Sequence, residues 1–152
     1  MTNRRKFLSY SLALPALALG ARPALADVPE FFNAEGYAAT GFDVVAYFTQ
    51  GEPIEGNSDF SLKWKGTVWR FASRENMAMF EADAWKYAPQ YGGYCAFAMA
   101  KGAIARSVPA AWTVYEDKLY LNQSKLVRAL WKRDIPGMVR DADQVWPDIL
   151  IG

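Results

Sequence analysis

Cys95 is the only cysteine in a chain that contains no histidine. It sits in Tyr91-Gly-Gly-Tyr-Cys-Ala-Phe-Ala-Met99, four residues before Met99. A thiolate and a thioether are soft donors and suit copper(I). At i and i+4 of a helix the two side chains share a face, and Met77, Met79 or Met138 would add a third donor. Structural zinc is poorly served, because it takes four Cys, His or carboxylate ligands. The same pair also has a plainer reading. A buried free cysteine packs as a small hydrophobe, and methionine fills gaps. As a nucleophile Cys95 would gain from a first helical turn after Gly92-Gly93. A Cys–His pair is impossible, however, and Lys101 and Arg106 supply only charge.

Asp43 is the second chemical candidate. It lies in the apolar run Gly41-Phe-Asp-Val-Val-Ala-Tyr-Phe48, where it is either a helix cap or a buried, hydrogen-bonded carboxylate. The aromatic residues are the third. Tyr47, Tyr91, Tyr94 and Trp112, with Asp43, are candidates to line a pocket through ring packing and hydroxyl hydrogen bonds. An aromatic-rich core is the alternative. The chain has no phosphate-cradling glycine loop, no paired-carboxylate motif and no Ser/His/Asp set. A non-enzymatic protein is therefore expected.

These residues need a scaffold, and 152 residues with 52% apolar content are enough for one packed domain. The first 26 residues hold four of the seventeen Lys and Arg and none of the sixteen Asp and Glu, so the remainder carries −3. That balance gives no basic surface for nucleic acid. Residues 1–26 read as a targeting segment: a basic start, the apolar run Ser11–Leu19, then Ala24-Leu-Ala26 as a cleavage site. The run is too short to span a bilayer. Asn3-Arg-Arg-Lys-Phe-Leu8 resembles the twin-arginine export motif through Arg4 and Arg5. Its implied partner is the twin-arginine export machinery, and its implied destination is the periplasm, without a stable membrane span after removal. An oxidising compartment makes a lone exposed thiol a liability unless it is buried or ligated.

Residues 27–40 form a lead-in segment and 41–150 a single domain. Phe60–Trp64 and Thr67–Phe71 alternate apolar and polar around Lys65-Gly66, which predicts an antiparallel hairpin. Ser73 predicts a helix cap, with Met77, Phe80 and Ala84 on one face and Pro89 closing the element. Tyr94–Lys101 predicts a short helix ended by Gly102. Ala111–Tyr115 and Lys118–Asn122 flank Glu116-Asp117 as a second hairpin. Ser124 caps a helix with the stripe Leu126, Val127, Leu130 and Trp131, and Lys125, Arg128, Lys132 and Arg133 form a solvated face. Pro136-Gly137 breaks that element before a last helix over Met138–Trp146. The fold class expected is α+β: a small antiparallel sheet from two hairpins, with three to four packed helices.

The strand–turn–strand–helix block Phe60–Pro89 resembles a YHS domain. The resemblance is carried by Gly66, Trp69, Phe71, Ser73, Glu75, Phe80, Asp83, Lys86 and Tyr87. From Gly41 to Pro147 the chain is similar to an exported bacterial branch of that family. There it is carried by the run from Gly41 to Phe48, by Tyr87-Ala-Pro-Gln-Tyr-Gly-Gly-Tyr-Cys-Ala96, by Ala111-Trp-Thr113, by Leu119-Tyr-Leu-Asn122 and by Trp131-x-x-Asp-Ile-Pro-Gly137. The resemblance implies a metal-associated module. Metal-binding YHS modules carry cysteines where this chain has Ala72 and Asn76, so their ligand set does not transfer. The expectation is an exported, non-enzymatic protein handling a soft metal such as copper(I) through Cys95, with Met99 as a second ligand. The alternative is a metal-free structural or interaction module of the cell envelope with Cys95 in its core.

Overall fold

The computed structural model describes residues 27–152, and the leader-like segment with Arg4 and Arg5 lies outside the described residues. Two short strands, β1 (Asn33–Ala34) and β2 (Tyr37–Ala38), pair antiparallel. Helix α1 (Ala46–Thr49) precedes a long hairpin of β3 (Asn57–Trp64) and β4 (Thr67–Phe71). Helices α2 (Arg74–Ala82), α3 (Ala84–Tyr87) and α4 (Ala96–Ala100) follow. A second hairpin of β5 (Val108–Tyr115) and β6 (Lys118–Asn122) leads to α5 (Lys125–Trp131) and α6 (Ile135–Val145).

The class is α+β. The two hairpins occupy separate sheets: one has the order β1-β2-β4-β3, the other is β5-β6 alone. Strand β2 joins β4 in parallel at Tyr37 and Val68, so residues 27–40 add strands to the domain.

Local chemistry accounts for most of these elements. Lys65 and Gly66 both have positive φ, 52° and 76°, as do Glu116 and Asp117, at 49° and 59°. Two such residues between paired strands make the turn whose twist matches the strands. Ser73 Oγ accepts from Asn76 N at 3.1 Å and Ser124 Oγ from Val127 N at 3.1 Å, which caps α2 and α5.

Helix α6 starts earlier than its sequence pattern suggests. Asp134 Oδ1 accepts from Gly137 N at 3.1 Å, and Pro136 stands in the first turn, where its missing N–H is no loss. The Pro136-Gly137 pair therefore opens a helix. Leu126 is 73% exposed and leaves the apolar stripe of α5, while Trp131 is fully buried. Arg128 also leaves the solvated face, because its Nε donates to Thr113 Oγ1 at 2.9 Å and ties α5 to β5.

Two apolar clusters share the strand β6. Leu119 and Leu121 pack with Val44, Trp69, Phe71 and Phe80 in the first. Tyr120 packs with Tyr91, Tyr94, Met99, Trp131 and Ala142 in the second. Successive side chains of a strand point to opposite faces, so β6 is buried on both.

Candidate functional site

The segment around Cys95 begins with a tight left-handed turn. Tyr91, Gly92 and Gly93 have φ of 55°, 61° and 79°. A Cβ at Gly92 would collide with the Glu30 carbonyl oxygen, so only glycine lets the lead-in segment pass there. Phe32 N donates to Gly92 O at 2.8 Å and Tyr94 Oη donates to Pro29 O at 2.7 Å. Phe31 inserts into the first cluster, 5.3 Å from Trp64 and 5.1 Å from Trp69 between ring centroids. Residues 28–32 thus form a strap across the turn.

Cys95 is the N-cap of α4 and is fully buried, as is Met99. Cys95 Sγ accepts from Ala98 N at 3.5 Å, and the thiol donates to Asn122 Oδ1 at 3.5 Å. The same oxygen accepts from Phe97 N at 2.9 Å. A backbone N–H needs an acceptor, so that bond fixes which end of the Asn122 amide faces the sulfur. A thiolate at Cys95 would then meet the lone pairs of Asn122 Oδ1. As folded, Ala98 N and Asn122 Oδ1 occupy the hydrogen-bonding positions of the sulfur. Among the described residues no three His, Cys, Asp or Glu side chains gather as a metal site. Asn122 Nδ2 and Trp131 Nε1 are buried without a hydrogen-bond partner among the described residues.

Asp43 is both a cap and a buried carboxylate. It has no exposed surface. Its Oδ1 accepts from Val45 N at 2.9 Å and Ala46 N at 3.2 Å, at the start of α1. Its Oδ2 accepts from Ala72 N at 2.8 Å and Asn76 Nδ2 at 2.7 Å. These donors hold a carboxylate that joins α1, the end of β4 and α2. Burial first, then the Asp43 charge, pushes the Tyr47 hydroxyl well above the usual tyrosine range.

The aromatic candidates divide between the two clusters. Tyr47 stacks on Trp112 at 5.3 Å and donates to Pro109 O at 3.0 Å. Tyr91 and Tyr94 lie in the second cluster, where Tyr91 Oη donates to Asp143 Oδ1 at 2.9 Å. A groove of about 370 Å³ lies elsewhere, between β3 and the α2–α3 segment, lined by Leu62, Trp64, Met77, Phe80, Glu81 and Ala84 among others. Their alternation and helical spacing mark these residues as apolar faces, and nothing in that pattern tells a covered face from an open one. No family model, curated protein or solved structure matches this chain. The YHS resemblance rests on its motifs alone.

Proposed function

We propose that this chain is an exported, non-enzymatic interaction module of the cell envelope, of the YHS type it resembles, with Cys95 built into its core. One observation carries the reading: both hydrogen-bonding capacities of the Cys95 sulfur are used inside the protein, toward Ala98 N and Asn122 Oδ1. A sulfur so engaged serves as a cap and a packing atom. The mature chain's −3 charge argues against nucleic acid as the partner. Copper(I) handling remains the second reading, favoured by one fact: Met99 is fully buried one helical turn after Cys95.

The test has two arms. Replacing Arg4 and Arg5 with lysine should hold the protein in the cytoplasm, read by cell fractionation, and unchanged export would refute the twin-arginine route. The leader-free protein, purified reduced and anaerobically, is then titrated with copper(I) against a competing chelator. Wild type and Cys95→Ser should compete equally poorly. Tight one-to-one binding that disappears in Cys95→Ser would establish the metal reading instead.

A further inference from the structure

Strand β3 is an edge of its sheet, hydrogen-bonded only to β4 among the described residues. The two-residue turn at Lys65-Gly66 makes Trp64 and Thr67 a hydrogen-bonded pair, and by alternation Leu62 and Trp69 another. The N–H and C=O groups of Ser61 and Lys63 therefore point away from β4. On the opposite edge of β4, Val68 meets β2 by the same alternation. Ser61 and Lys63 open directly onto the groove of about 370 Å³ between β3 and the α2–α3 segment. Its floor is apolar, Leu62, Trp64, Met77, Phe80 and Ala84, with Lys63 and Glu81 as the charged residues of its lining.

The rim narrows the choice of occupant. Next to the lining residue Ala84, Trp85 is 58% exposed, and its ring stands 4.8 Å from that of the lining residue Trp64. Lys65 Nζ lies 5.0 Å from the Trp85 ring and 5.9 Å from the Trp64 ring. No carboxylate among the described residues pairs with Lys65. Unpaired strand groups beside an apolar trough accept a peptide as an added strand, with alternate side chains filling the trough. Held over the two rings and without an ion pair among the described residues, the Lys65 ammonium would favour a carboxylate on that peptide.

We infer that the β3 edge and the α2–α3 face form a docking groove for an extended partner segment with apolar residues at alternate positions and an acidic residue at its hairpin end. The irregular register between Asn57 and Ser61 limits the added strand to the stretch near Ser61–Trp64. A short docked strand fits reversible association. The inference rests on the interaction-module reading but shares no residue with Cys95, so a positive copper titration and a failed peptide titration remain separate results.

The test titrates the protein with a fluorescent octapeptide of alternating Val and Thr ending in Asp, against the same peptide with two central prolines. Saturable binding should move the Ser61 and Lys63 amide resonances and the Trp85 indole N–H, and slow exchange of the two amides. The proline peptide should not bind. Lys63→Pro removes an outward donor and no β3–β4 bond, so the fold should persist while affinity falls about tenfold or more. Lys65→Glu should weaken the same peptide and favour one ending in Lys. Absence of peptide binding with the fold intact overturns the inference, as does binding that leaves these resonances unmoved. A concentration-dependent dimer abolished by Lys63→Pro, without peptide binding, assigns the edge to a second copy and also overturns it.

Discussion

Asp43 shows most directly how one side chain commits the chain to this fold. Its two oxygens receive four hydrogen bonds, from Val45 N, Ala46 N, Ala72 N and Asn76 Nδ2, and no Lys or Arg among the described residues pairs with it. Neutral donors alone hold the buried charge, which works because each is fixed by an element end. Asp43→Asn keeps the shape but turns an amino group toward two of those donors. Each buried donor left without an acceptor costs about 1–3 kcal/mol. The denaturation midpoint should fall accordingly with little change in slope, and an unchanged midpoint would remove Asp43 from this role. The sequence posed two readings for Asp43, cap or buried carboxylate, and both hold. Proximity of Asp43 to Val45 was visible in the chain. Proximity to Asn76 was not, since it depends on how α2 returns over β4. Cys95 was legible as the singular residue, but its partner Asn122 lies 27 positions away.

At the scale of elements, hairpins and caps were largely readable and sheet membership was not. Turn residues and alternation act locally, so Lys65-Gly66, Glu116-Asp117, Ser73 and Ser124 do what their types suggest. Which hairpin joins which sheet is a long-range outcome. Here β4 gives its second edge to β2, and that leaves β5-β6 to stand between two apolar clusters. The role of residues 28–32 was equally hidden, because Phe31 and Phe32 show no periodicity. Their strap depends on the close passage over Gly92. Gly92→Ala adds a Cβ against the Glu30 carbonyl and a left-handed backbone cost of about 1–2 kcal/mol. The strap should lift, and the Phe32 amide should exchange at the rate of an open segment while the Phe71 amide stays protected. Gly36→Ala is the control, since its Cβ meets nothing within 4 Å and only the backbone cost at φ +90° remains. Equal exchange of Phe32 in both variants would show that the collision does not matter.

The whole molecule keeps several tyrosine hydroxyls out of water. Burial, then the hydrogen bond to Asp143, raises Tyr91, and burial, then the Asp43 charge, raises Tyr47. Burial and then the Asp143 charge push Tyr120 up to about 12. In each case the folded protein favours the protonated form, while the unfolded chain ionises near the ordinary value of 10.0. The folded state therefore holds more protons above that value, and stability must fall as pH rises. The stabilisation is complete below pH 10.0 and drains away from there through about 12 and beyond. Urea midpoints followed beside tyrosinate absorbance should show a flat region, then a decline over that alkaline range. A flat or rising midpoint there would contradict these assignments.

The enclosed sulfur has a consequence for handling the protein. One thiol per chain means that a disulfide-linked dimer must join two molecules that have each opened to expose Cys95. A maleimide dye or a non-reducing gel then counts opened molecules directly, with no introduced label. The folded protein carries its own tally of how often it comes apart.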